Sequence, residues 1–97
     1  MKKPAYVVVD VRVSDPERIV RYRELAEIAV GHYGGRYLAR GGAIETLEGE
    51  WQPERVVIVR FDDAEAARRF YDSPEYRAAR EARAGAAEFD MLLVEGL

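Results

Sequence analysis

The sequence predicts an α+β fold, one antiparallel sheet with helices on a single face, from three observations. Val7, Val9, Val11 and Val13 alternate with other residues at a strand's two-residue period. A helical apolar period then takes over and reverts to a strand-like one at Gly34-Gly35, and the second half repeats strand and helix signals. No linker, low-complexity stretch or solenoid repeat interrupts the 97 residues, so residues 1–97 read as one domain. The order is βαββαβ. In a small domain it favours the split-βαβ, ferredoxin-like arrangement of four antiparallel strands with both helical segments on one side.

Each element has a local reason. The run from Tyr6 to Val13 is β-branched and is read as the first strand. Ser14 and Glu17 have capping-box spacing around Pro16, so a helix is expected from there to about Gly31. Its apolar stripe is Ile19, Tyr22, Ala26, Ala29 and Tyr33, widened by Leu25 and Ile28. Gly34-Gly35 is a helix stop, because glycine takes the left-handed conformation without a Cβ clash. The second strand is expected from Arg36 to about Glu48, with Gly41-Gly42 marking a bulge or bend. Gly49 to Pro53 reads as a hairpin loop, and Arg55 to Phe61 as the third strand. Asp62-Asp63 is positioned to cap a second helix bearing Ala64, Ala67, Phe70 and Tyr71. Ser73-Pro74-Glu75 restarts it as cap, first-turn proline and acidic residue, with a stop near Gly85. Phe89 to Glu95 is the last strand.

Alternation also predicts an assembly. One sheet face carries Val7, Val9, Val11, Val57, Val59, Phe61, Met91 and Leu93. The other carries Tyr6, Val8, Leu38, Val56, Ile58, Leu92 and Val94, mixed with Asp10, Arg12, Arg40 and Arg60. A half-solvated antiparallel sheet alternates apolar-in and polar-out. Two apolar faces with helices for only one of them call for a homodimer closed through the open sheet face. The competing reading is that β-branched residues occupy an open face for strand propensity alone.

Composition narrows the functions. Cysteine is absent, which removes disulfides, thiolate catalysis and cysteine metal sites. The net charge of −3 argues against nucleic acid or an anionic membrane as partner. The basic start, Lys2-Lys3, leads into an apolar run broken by Asp10 and Arg12, unlike a secretory signal, and no stretch nears the ~20 apolar residues of a membrane span. A cytoplasmic location is the expectation. Ser14 and Ser73 are the only serines and both have capping work, so a Ser-His-Asp site has little to draw on. His32 is the single histidine, and no metal-ligand spacing surrounds it. The glycines from Gly31 to Gly42 lack the Gly-Lys-Ser/Thr of a phosphate loop. Neither a metal nor a nucleotide cofactor is expected.

Further residues group into a family pattern. Ala5-Tyr6-Val7, Val9-Asp10, His32 with Gly34-Gly35-Arg36-Tyr37, Arg40-Gly41-Gly42, Glu48-Gly49 before Trp51 and Pro53, Phe61, and Tyr71-Asp72-Ser73-Pro74-Glu75-Tyr76 resemble the domain of unknown function numbered 1330. The resemblance spans nearly the whole chain, and the run from Tyr71 to Tyr76 together with Arg40-Gly41-Gly42 is its specific part. The family often has Trp where this chain has Phe70 or Tyr71. The resemblance implies membership of the dimeric α/β-barrel superfamily, in which ferredoxin-like subunits pair through their sheets. Relatives there include cofactor-free monooxygenases, muconolactone-type isomerases, haem enzymes and stress-related proteins, so fold is implied and activity is not.

The candidate site is a cleft between the helices and the sheet. His32 is a candidate acid or base, since its unperturbed pKa lies near neutrality; it equally suits a C-terminal helix cap. Arg40 is a candidate anion clamp, its planar guanidinium matching a carboxylate, unless it points to the dimer face with Leu38 or pairs with Asp10. Tyr71, Tyr76 and Trp51 are candidate binding aromatics or packing residues. Glu48 is one of eighteen acidic residues and carries no special claim as a base. The partner these groups favour is a small anion with an apolar or aromatic body. Three classes stay open: a cofactor-independent enzyme, a ligand-binding or sensing module, and a purely structural dimer.

Overall fold

Residues 2–97 are described in a computed structural model. The chain runs β1 (Ala5–Val13), α1 (Arg18–His32), β2 (Arg36–Arg40), β3 (Arg55–Phe61), α2 (Ala64–Asp72), α3 (Pro74–Arg83) and β4 (Ala87–Glu95). The strands form one sheet in the order β2-β3-β1-β4, antiparallel at every pairing, which is a ferredoxin-like α+β arrangement.

The core lies between the sheet and the helices. Ala5, Val7, Val9 and Val11 of β1, with Val59 and Phe61 of β3, are buried against Ala29 and Val30 of α1, Phe70 of α2 and Tyr76 of α3. Each large side chain buried this way stabilises the fold by about 1.5–3 kcal/mol. Alanines at 26, 29 and 79, all buried, keep the facing sides of α1 and α3 slim, and the two helices pack side by side.

Three local expectations are corrected. The α1 start is held by Asp15 instead of a Ser14–Glu17 box: Asp15 Oδ1 accepts from the amides of Glu17 at 3.2 Å and Arg18 at 3.1 Å. A carboxylate one residue nearer the helix reaches the orphan amides, while the Ser14 amide is spent on Ala86 O. Ile28 does not widen the apolar stripe and is 62% exposed; Val30 is buried instead. At about 100° per residue, position 28 lies roughly 200° round the helix from Ala26 and position 30 only about 40°. Finally, β2 ends at Arg40, and its irregularity falls between Tyr37 and Ala39, leaving Leu38 as the unpaired residue. Gly41, at φ 72°, takes the chain out of the ladder after its amide bonds Val56 O at 3.1 Å.

The other termini form as their residues direct. Gly35 N donates to Val30 O at 2.8 Å and Gly34 N to Gly31 O at 3.2 Å, with Gly34 at φ 75°: this is a Schellman stop. Asp63 caps α2 through Ala66 N at 2.7 Å. Ser73 is buried; its Oγ accepts from Tyr76 N at 3.0 Å and donates to Phe70 O at 2.7 Å, tying the end of α2 to the start of α3. Ser73→Ala is therefore expected to lower unfolding free energy by about 1–2 kcal/mol in urea titration. A loss under a few tenths would mean water replaces the hydroxyl.

On the face away from the helices, Ala39, Ile58, Val8 and Leu92 form one row across all four strands. Leu92 is 64% exposed, and Leu38 and Val94 are also open. The segment from 41 to 54 contains no helix or strand, and its Ile44, Leu47 and Trp51 are exposed.

Candidate functional site

A cavity of about 50 Å³ lies between the sheet and α1, with Val9, Val57, Phe70 and Met91 among its apolar lining and Arg23, Arg40 and Arg55 among its polar lining. The irregularity in β2 is what brings Arg40 there. Tyr37 pairs with Val59 on the helix-facing side, so simple alternation would turn Arg40 to the open face. With Leu38 unpaired the parity flips, and Arg40 pairs with Val57 on the helix side. Arg55 lies on the same side by ordinary alternation with Val57, Val59 and Phe61, and Arg23 comes from α1 next to Tyr22.

Three arginines thus line one largely apolar cavity, Arg40 with a third of its side chain open to solvent. Among the described residues the only carboxylate paired with any of them is Glu27, 3.4 Å from Arg40. Arg40 also lies 4.3 Å over the Tyr37 ring. Burial, and then the like charges of Arg23 and Arg40, hold Arg55 below the ordinary arginine value. The Tyr37 hydroxyl is pushed up by burial, against the pull of Arg40. Such an arrangement attracts an anion, because a bound carboxylate relieves the mutual repulsion of the cations and supplies acceptors for donors that lack them.

Tyr76 is fully buried and lines the same cavity. Its hydroxyl is 2.7 Å from that of Tyr22 and accepts from Arg83 Nη1 at 3.3 Å. Burial is the main force raising the pKa of both tyrosines. Arg83 is itself stacked 3.7 Å over the Phe89 ring.

The remaining candidates lie elsewhere. His32 is 63% exposed at the end of α1 and outside the cavity lining, with Nε2 4.0 Å from Glu75 Oε1. Tyr33 donates to the other oxygen of Glu75 at 3.0 Å, so this end of α1 is tied to the start of α3. Glu75's own amide and then the Tyr33 hydroxyl hold that carboxyl below its usual range. Tyr71 lines a second cleft of about 240 Å³ between α2 and β4, and Arg80 lies 4.2 Å over its ring. Trp51 is on the opposite side of the sheet, its Nε1 donating to Asp10 Oδ2 at 3.1 Å. So the structure gathers Arg40 and Tyr76 in one cavity, leaves Tyr71 in the adjoining cleft, and brings neither His32 nor Trp51 to them. Sequence reasoning missed Arg23, Arg55, Tyr22, Tyr37 and Arg83. Arg55 had a usable signal: a charged residue in phase with the core positions of its strand. Among the described residues no cluster of three or more His, Asp or Glu is placed to hold a metal, and no helix is long and apolar enough to cross a membrane.

The profile of the family described as Domain of unknown function (DUF1330) matches residues 4–97. The chain belongs to the DUF1330 family. Solved structures similar to this DUF1330 chain include the RPA0582 protein of unknown function from Rhodopseudomonas palustris. That match has 20% identity and a TM-score of 0.75 over 100% of this chain and 85% of that one. Another is SnoaB, a cofactor-independent oxygenase from Streptomyces nogalater, at 14% identity and TM-score 0.63 over 94% and 90% of the two chains. A dimeric ferredoxin-like protein of unknown function from Thermobifida fusca matches at 16% identity and TM-score 0.58 over 98% and 92%. No curated protein matches the DUF1330 chain. At these identities the likenesses carry the fold.

Proposed function

We propose that this DUF1330 protein is a cytoplasmic, single-domain homodimer, paired through its open sheet face, that binds a short-chain organic carboxylate without a metal or nucleotide cofactor. One observation carries the ligand reading: Arg23, Arg40 and Arg55 line one cavity whose other polar groups are tyrosine hydroxyls, and among the described residues only Glu27, outside the lining, pairs with any of the three. Size then narrows the ligand. Pockets for drug-sized molecules run to about 300–1,000 Å³ and an apolar cavity that admits benzene measures about 150 Å³. At about 50 Å³ this one suits a slender aliphatic tail better than an aromatic body. The position of His32 outside the lining supports binding without proton transfer by that residue. The dimer reading is supported by exposed Leu38, Leu92 and Val94 on the open face and by the dimeric description of the Thermobifida fusca protein.

For a ligand of this size the expected dissociation constant is about 1 mM, within the range of free energy per heavy atom that small ligands reach. Titration of backbone amide resonances with butanoate should move signals of β2, β3 and α1, and butanamide, which lacks the charge, should not. Arg55→Met, which keeps the length and removes the cation, should weaken butanoate about tenfold or more. Equal response to acid and amide would defeat the carboxylate reading. No response to any short acid would leave the purely structural dimer as the better account.

A further inference from the structure

We propose that the ligand of this cavity is a short oxo acid, its carboxylate at the arginines and its carbonyl oxygen on the Tyr22–Tyr76 hydroxyl pair. This rests on the carboxylate reading above and adds the second recognition point. Tyr22 and Tyr76 each carry one hydroxyl proton, and their 2.7 Å contact uses one of the two. Arg83 donates into Tyr76 and accepts nothing. If Tyr22 donates to Tyr76, the proton of Tyr76 is left over; if Tyr76 donates, that of Tyr22 is. Either way one hydroxyl proton has no acceptor among the described residues, in a pair whose two side chains both line the cavity. A buried donor without an acceptor is costly, and an acceptor oxygen brought by a ligand removes that cost.

The kind of oxygen follows from the walls. Phe89 packs its ring 5.0 Å from that of Tyr22, and apart from the three arginines and the tyrosines Tyr22, Tyr37 and Tyr76 the cavity lining is aliphatic, aromatic or Met91, none of which accepts a side-chain hydrogen bond of ordinary strength. A ligand hydroxyl would have to place its own proton as well, aiming it at a tyrosine oxygen while accepting from the other hydroxyl, which fixes two angles at once. A carbonyl is acceptor-only and leaves nothing unpaired. The neighbouring Arg83 cation further favours an oxygen with partial negative charge. Burial keeps both tyrosines protonated and therefore donors. Tyr22 and Arg23 are consecutive on α1, so the two recognition points are fixed on one rigid element.

Matched acids test this in the wild-type protein: butanoate with 2-oxobutanoate, and pentanoate with 4-oxopentanoate and 4-hydroxypentanoate, each titrated against amide resonances. At least one oxo acid should bind about five- to tenfold tighter than its parent, as one hydrogen bond supplied to an orphan donor gives, and the hydroxy acid should gain less than the oxo acid. Neither Tyr22→Phe nor Tyr76→Phe alone is decisive, because each leaves one hydroxyl with a free proton. In the double variant the ratio of oxo to parent affinity should fall to about one, the parent acid serving as reference in the same protein. If the double variant fails to fold, the ¹³C carbonyl resonance of the oxo acid bound to wild type still reports: a hydrogen-bonded carbonyl moves downfield. Parent acids binding with no oxo preference, a preference that survives the double variant, or an unshifted carbonyl would each overturn this inference alone. Failure of every acid to bind would overturn the carboxylate reading and this inference with it.

Discussion

Ile58→Asp is expected to turn the proposed dimer into a folded monomer. Ile58 lies in the middle of the row Ala39, Ile58, Val8 and Leu92, which crosses all four strands on the face away from the helices. Its own fold does not depend on it, because the core is on the other face, at Val57, Val59 and Phe61. A carboxylate there must be desolvated by the partner; the cation nearest along β3 on this face, Arg60, is paired with Asp62 at 3.6 Å, and Asp10, Arg12, Glu88 and Asp90 pair with one another at 3.0–3.5 Å. In an interface with two-fold symmetry each substitution acts twice. Burying unpaired charge costs several kcal/mol, so the dissociation constant should rise by at least about a hundredfold. Sedimentation of wild type and variant over a dilution series reads this directly. Ile28→Asp is the control, placing the same charge on the exposed side of α1, and should change neither mass nor fold. A stable wild-type dimer buries about 1,200 Å² or more in all. A variant that still sediments as a dimer, or a wild type monomeric throughout, would remove the open face from the assembly.

The parts of this fold set by short-range rules were legible in the sequence. Valine alternation located β1 and both its faces, Gly34-Gly35 located the α1 stop, and Ser73-Pro74 located the α2–α3 break, because a strand's parity, a left-handed residue and a cap each act within a few residues. The site was less legible, for two physical reasons. Arg40's side of the sheet depends on one unpaired residue, Leu38, in a stretch with no glycine or proline to mark it; the glycines that drew attention lie three and four residues further on, where the strand ends. The Tyr22–Tyr76 contact joins residues 54 apart in sequence, and only the packing of α1 on α3 brings them together. The same packing settles what a lone histidine cannot reveal locally: His32 is turned to solvent near Glu75, at a distance from the arginines' cavity.

Two alanine substitutions at the end of α1 are expected to have opposite signs. At Gly31 an added Cβ meets nothing within 4 Å, and the residue is helical, so Gly31→Ala should stabilise by about 0.5–1 kcal/mol through a less flexible unfolded chain. At Gly35 an added Cβ would fall 2.8 Å from Phe61 Cε1 and 2.8 Å from Val30 Cγ1, closer than carbon atoms pack. Neither neighbour has room to yield. Phe61 is wholly buried with its ring 5.1 Å from that of Phe70, and Phe70 lies 4.5 Å from Tyr76. The methyl group therefore overpacks a chain of rings that ends in the cavity lining, and overpacking costs about 1–3 kcal/mol. For a domain of this size that is a fall in melting temperature of about 4–8 °C per kcal/mol, against a rise for Gly31→Ala at the same protein concentration. Gly35→Ala should also disturb the resonances of Tyr76, which Gly31→Ala should not. A Gly35→Ala protein that melts at or above wild type would mean that Phe61 can move, and that the close approach at the α1–β2 turn does not set the position of the rings beneath the cavity.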